Sequence, residues 1–351
     1  DSVYIDRLSR IPAVMEMPYN DIIRKFIDMY AGRLRNQVSF MLSACNFYMP
    51  IFEEALDAYG LPLELRYLPI IESALNPSAV SRAGASGLWQ FMIGTGKIYG
   101  LESNSLVDER RDPIKATWAA ARYLKEMYDI YGDWNLVIAA YNCGPGTINK
   151  AIRRANGETD YWKIYNYLPK ETRGYVPAFI AANYVMTYYC DHNICPMETN
   201  IPASTDTVQV NKNLHFEQIA DLCNVPLDQI KSLNPQYKKQ IIPGDNKPYT
   251  LRLPIEAIST FIDRQDTIFA HRADELFRNR KTVAVKEISP STRRATTAVA
   301  GKGKPTYYKI KSGDTLSSIA EKYGVRVKDI QRWNGMSNTK IAAGKRLKIY
   351  K

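Results

Sequence analysis

The last 150 residues repeat themselves at an offset of 100. Ile219-Ala220 returns as Ile319-Ala320, Val225 as Val325, Leu227 as Val327, Ile230 as Ile330, Asn234 as Asn334 and Gly244 as Gly344. Each copy runs to roughly 45 residues, the size of a small module. The second copy is the cleaner. Residues 307–311 and 345–350 alternate as strands do. Asp314 can cap a helix with the apolar face Leu316, Ile319, Ala320 and Tyr323, ended by Gly324; a second helix, Val327–Trp333, is ended by Gly335. The order is strand, helix, helix, strand, with end strands that pair antiparallel or are staggered. The first copy, about residues 207–254, is degenerate: Leu233 stands where the second has Trp333, and NKNLHF where it has SGDTL.

The first 200 residues carry a different pattern. Residues 20–34, 37–59, 171–189 and Pro113–Tyr131 repeat apolar positions at helical spacing, and Gly60, Gly100, Gly132 and Gly144–Gly146 punctuate them. Residues 76–90, rich in Ser, Gly and Ala, predict a loop or short hairpin. Residues 254–280 predict one more helix, and 281–305 a flexible linker. The expected organisation is 1–200 catalytic-sized and mainly α, 201–254 a degenerate α+β module, 255–305 helix plus linker, and 306–351 an α+β (βααβ) module.

Charge follows these divisions. Residues 1–200 carry a net −2, 201–300 a net +3 and 301–351 a net +10. The basic end predicts an anionic partner there. The acid-leaning first 200 residues, with no basic-aromatic array, speak against a nucleic-acid binder. No run of about 18 apolar residues predicts a transmembrane helix. The chain opens on Asp-Ser-Val without Met, which predicts a processed form with any signal peptide or lipid anchor removed. Cys190 and Cys195 are close enough in sequence to close a small loop, the alternative being five free thiols; Cys45, Cys143 and Cys223 read as small core residues. With no CxxC pair and three His, no metal site is expected.

One acid stands apart. In LRYLPIIESALNP, Leu61, Leu65, Leu68, Glu72 and Leu75 follow spacings of four, three, four and three, one face of a helix. Glu72 either escapes to solvent at a helix end, or sits on an apolar wall that disfavours its ionised form. In the second case its pKa rises to roughly 6, and it can protonate a leaving oxygen at neutral pH. Trp89, Phe91 and Met92 read by spacing as core.

IESALNPSAVSRAGASGLWQFM (residues 71–92), AAYNCGPG (139–146) and LPKETRGYV (168–176) resemble, in the same order, three blocks of the bacterial lytic transglycosylases with a goose-lysozyme-like fold. The N-terminal MPYNDIIRKFIDMY resembles their membrane-bound D subgroup. SGDTLSSIAEKYGV with IQRWNG is similar to LysM, a module that binds N-acetylglucosamine-containing glycans. The resemblance implies a lysozyme-like catalytic domain followed by LysM-type modules. It places the catalytic acid at Glu72 and an orienting hydroxyl at Ser81. Groove residues fall at Gln90, Met92, Tyr141 and Asn142, a carboxylate for acetamido or peptide groups at Glu171, and a further substrate contact at Tyr175. Cys143 stands where many members carry Ala.

The implied reaction is non-hydrolytic cleavage between N-acetylmuramic acid and N-acetylglucosamine, leaving 1,6-anhydro ends, with one Glu doing both proton transfers and no cofactor. Glu64, Glu102, Asp108, Glu109 and Asp112 are the candidate second acids a hydrolase would need. The rivals are a hydrolytic goose-type lysozyme and a non-catalytic peptidoglycan-binding protein. The resemblance further implies peptidoglycan strands as partner, a monomer, and a periplasmic or cell-envelope location with a lost lipid anchor in the outer membrane.

Overall fold

The computed structural model describes residues 1–278, 306–310, 314–325, 327–336, 341 and 344–350. It forms two compact units, 1–288 and 289–351. The linker expected at 281–305 lies outside the described residues.

The first unit begins with ten helices: α1 (Ser2–Ser9), α2 (Asp21–Ala31), α3 (Arg35–Ala58), α4 (Leu68–Ser73), α5 (Ile93–Ile98), α6 (Pro113–Tyr131), α7 (Trp134–Cys143), α8 (Pro145–Arg154), α9 (Tyr161–Ile164) and α10 (Lys170–Thr187). Their ends follow local chemistry. Asn20 caps α2 by accepting the Ile22 and Ile23 amides, and Asp112 caps α6 by accepting those of Ile114 and Lys115. Gly132 closes α6 in the left-handed region, which glycine enters without a Cβ penalty. α10 runs through the middle, buried against α2, α4 and α7, and one apolar core joins all of them.

The stretch read as one helix over 61–75 is instead a 3₁₀ turn, Leu63–Tyr67, followed by α4. Pro69 explains the break: it belongs in the first turn of a helix, where its missing N–H is no loss. Leu61, Leu65, Leu68 and Leu75 are nonetheless all buried. Residues 76–90 form a looped segment pinned by the bridges Val80–Ser86 and Ser86–Phe91.

The first repeat copy contains β1 (Thr205–Val210), β2 (Asn213–His215), α11 (Phe216–Cys223), α12 (Leu227–Leu233), β3 (Ile241–Pro243) and β4 (Tyr249–Pro254). β1 pairs antiparallel with β4, and β2 with β3. The single helix expected over 254–280 is three: α13 (Ile255–Asp263), α14 (Gln265–Ala270) and α15 (Ala273–Leu276). Phe261 and Ile268 from this segment are fully buried in the copy's own core.

The second unit holds β5 (Thr306–Lys309), α16 (Leu316–Tyr323), α17 (Val327–Trp333) and β6 (Arg346–Ile349), with β5 and β6 antiparallel. Asn234 and Asn334 do the same work. Each side-chain amide donates to the carbonyl four residues back and to a last-strand carbonyl, and each side-chain oxygen accepts that strand residue's amide, Arg252 or Lys348. The offset there is 96, not 100. The first copy carries four extra residues between that Asn and its partner in the last strand, so the offset of 100 does not extend to the last strand. All five cysteines are free; Cys190 and Cys195 are exposed and unjoined, and only Cys223 is fully buried.

Candidate active site

Glu72 sits near the end of α4, half-buried. The helix stops one residue later, after Ser73, because Ala74 (φ 51°) and Leu75 (φ 58°) both take left-handed backbone. Two such residues in succession, neither a glycine, carry strain that the surrounding core must hold. Ser73 secures the turn, its hydroxyl engaging the carbonyls of Pro69 (3.0 Å) and Leu88 (2.9 Å). A third left-handed residue, Gln90 (φ 50°), lies across the groove, its side-chain amide donating to the Gly87 carbonyl at 2.8 Å.

Glu72, Ser81 and Gln90 line one groove of about 400 Å³ together with Tyr30, Gln37 and Met41. Behind the groove, the buried Tyr175 of α10 donates its hydroxyl to Glu72 Oε1. Burial pushes the Glu72 carboxyl up to about 7; the Tyr175 hydrogen bond opposes this, and the charge of Glu171 adds to it. Tyr141 on α7 stands near enough for its hydroxyl to feel the Glu72 charge, and it donates to the Trp89 carbonyl at 2.7 Å. Burial first, and Glu72 second, hold both tyrosine hydroxyls well above their ordinary range, so they remain neutral donors.

The other expected residues stand in different relations to the groove. Ser81 Oγ accepts the Ala85 amide (3.0 Å), and among the described residues it makes no hydrogen bond to Glu72; the hydroxyl that does is Tyr175's. Asn142 Oδ1 accepts from Thr172 (2.8 Å), joining α7 to α10. Glu171 is exposed in the first turn of α10. Met92 is 42 % exposed just before α5, outside the groove lining. Trp89 and Phe91 are core, with the Trp89 indole donating to Thr117.

Each candidate second acid is occupied. Glu64 accepts the amides of Val14 and Met15, Glu102 pairs with Lys247, and Asp108 pairs with Arg110. Glu109 pairs with Lys115, and Asp112 caps α6. Sequence reasoning missed Tyr30, Gln37 and Met41 as groove wall. Tyr30 lay on the apolar stripe of α2 and so read as core, while an isolated Gln at position 37 carries no local signal.

Comparisons with known proteins agree along the chain. Residues 49–164 match the transglycosylase SLT domain, 204–270 the LysM-like domain of lytic transglycosylase MltD, and 308–349 the LysM domain. The chain is 31% identical over 341 residues to the membrane-bound lytic murein transglycosylase D of Escherichia coli K12, covering 95% of this chain and 70% of that protein. It is 33% identical over 124 residues to the soluble lytic murein transglycosylase of the same organism, covering 34% of this chain and 19% of that one. Among solved structures, the 70 kDa soluble lytic transglycosylase of Escherichia coli aligns at 29% identity and a TM-score of 0.36, over 41% of this chain and 24% of that one.

Proposed function

This chain belongs to the membrane-bound lytic murein transglycosylase D family, and from that premise we propose Glu72 as the group that performs its chemistry. The protein is a peptidoglycan lytic transglycosylase carrying a LysM module. The observation that carries the assignment is a half-buried carboxyl in a groove, raised to about 7, while five other acids are bound into structural roles. At pH 7 about half of such carboxyls hold their proton.

In this reading Glu72 gives its proton to the oxygen linking N-acetylmuramic acid to N-acetylglucosamine. The glycosidic bond breaks and an oxocarbenium-like centre forms at C1. The substrate's own acetamido group helps to stabilise that centre. Glu72, now ionised and held by the Tyr175 hydroxyl, takes the proton of the muramic C6 hydroxyl, whose oxygen closes on C1. The product carries a 1,6-anhydro end, no water is consumed, and Glu72 finishes protonated as it began. Ser81, Gln90, Met92, Tyr141, Asn142 and Glu171 are assigned to holding the glycan, with Tyr175 orienting the acid.

We read residues 1–200 as the catalytic domain, 201–254 as the degenerate module, 255–305 as its helical extension and linker, and 306–351 as the wall-binding LysM. The reading extends to a monomer in the periplasm or cell envelope. Mass spectrometry of muropeptides after digestion tests the chemistry. Anhydro ends from the parent protein and none from Glu72→Gln support it. Reducing ends would instead assign hydrolysis, with Glu171, whose charge reaches Glu72, as the acid to activate water.

A further inference from the structure

One guanidinium holds the loop that carries Ser81 and Gln90. Arg110, 5 % exposed, donates from Nη1 to the carbonyls of Gly84 (2.9 Å) and Phe91 (3.0 Å). Its Nε and Nη2 clasp both oxygens of Asp108 at 2.9 and 2.7 Å. The loop lies close on the same backbone: a Cβ at Gly87, whose φ is +88°, would stand 1.8 Å from the Arg110 carbonyl oxygen. Asp108 is 1 % exposed; burial alone would raise its carboxyl, but the hydrogen bonds and charge of Arg110 outweigh this and hold it below the usual range.

The far side of this pair is gripped by the first repeat copy. The Asp108 amide donates to the Gln236 carbonyl (2.9 Å), and Lys238 Nζ stands 4.0 Å from the Asp108 carboxylate while donating to the Asn104 carbonyl (2.8 Å). The Lys238 amide donates to the Leu106 carbonyl (2.7 Å), and Tyr237 bridges to Val107. Leu106 and Val107 are buried in the hydrophobic core of the repeat copy itself. A continuous set of buried contacts therefore runs from residues 236–238, through 104–108 and Arg110, to the groove wall.

We propose that Asp108 and Arg110 are positioning residues for glycan cleavage, and that the first LysM-like module serves as a brace that sets them. A buried ion pair is stable only when both partners are held in place. The module supplies that hold on Asp108, and Arg110 passes it to the Gly84 carbonyl, whose own amide donates to the Ser81 carbonyl, and to the Phe91 carbonyl next to Gln90. Small displacements of groups aligned on a substrate are expensive in rate. The inference rests on Glu72 as the reacting group of the same groove.

The test compares kcat/KM against pH for the full chain, Arg110→Lys and Lys238→Met on soluble glycan strands, with melting curves and sedimentation on sacculi alongside. Lysine keeps a charge beside Asp108 but cannot serve two carbonyls and two carboxylate oxygens at once. Arg110→Lys is expected to lose tenfold or more in kcat/KM, and Lys238→Met about threefold. Both should keep a cooperative melt and full wall binding. In both, the alkaline limb of the profile should move to lower pH, because a loosened wall admits water to Glu72 while Tyr175, Tyr141 and Glu171 still face it. Losses that only match the unfolded fraction, with the limb unmoved, overturn the proposal. Should Arg110→Lys not fold, Lys238→Met carries the test. Glu72→Gln in the same assay separates the two readings: parental activity there removes the chemical assignment, whatever the limb does in the other variants.

Discussion

The two copies of the repeat share a fold and differ in what their surfaces do. Both close with antiparallel end strands, and both lock the last strand with an Asn making the same three hydrogen bonds. In the first, the stretch after the second helix is spent on the catalytic domain: Tyr237 and Lys238 hold residues 104–108, while Lys247 and Tyr249 hold Glu102. Leu233 is buried. In the second, the equivalent Trp333 is half-buried, edge-on to Tyr350 at 5.4 Å, in a segment with a net charge of +10. One architecture thus yields a bracing module and a glycan-binding one through a few side chains, because the Asn lock and the apolar core specify the fold without the exposed positions.

The sharpest division between the regions is chemical. Glu72→Gln should lower cleavage by about 10³-fold, within the range for loss of a general acid, and leave sedimentation on sacculi unchanged. Deleting 306–351 should do the reverse, sparing turnover of soluble strands and weakening wall binding. If Glu72→Gln also abolished wall binding, the two roles would not be separable.

The same substitution has a stability signature. A Glu whose folded pKa is raised binds its proton more tightly in the native state, so stability is lost as pH rises from the unfolded value of 4.5 to the folded value of about 7. Replacing it with neutral Gln should therefore stabilise the first unit at pH 8 by up to ~3 kcal/mol and change little at pH 4. Denaturant melts at the two pH values measure this, and the second unit should not respond.

The Asn locks offer a matched pair. Asn234→Ala and Asn334→Ala each leave buried backbone groups unpaired, at about 2 kcal/mol. The first should lower the melting temperature of the catalytic unit and its activity together; the second should lower wall binding alone. Equal effects on activity would dissolve the distinction between brace and binder.

Smallest is the aromatic difference. Trp333→Ala should weaken binding to sacculi by roughly tenfold, about 1.4 kcal/mol, and 0.5 M salt should weaken it further through the basic charge. Leu233→Ala should leave binding unchanged. Pull-down isotherms distinguish the two.

Much of this was legible in the chain. The helix ends, the strand–helix–helix–strand order and a desolvated Glu72 rest on local rules of capping, periodicity and desolvation. The helix over 61–75 was misread because Pro69 starts a helix as readily as it kinks one, and a 3₁₀ turn keeps the leucines buried almost as well. The change of offset at the last strand was not legible because a single repeat offset does not register a four-residue insertion. The Asp108–Arg110 pair was not legible because Asp108 was weighed only as a candidate second acid; only the fold shows it buried against Arg110. Tyr175 as the partner of Glu72 needed the packing of α10 on α4, a contact across 103 residues.

The central claim is a carboxyl held protonated near neutrality inside the groove. Infrared difference spectroscopy of the 351-residue chain, titrated from pH 4 to 9 and referenced to Glu72→Gln, reads that proton directly. A Glu72 carboxylic C=O band that disappears with a midpoint near 7 is the predicted result. A midpoint at the ordinary 4.5 would contradict it.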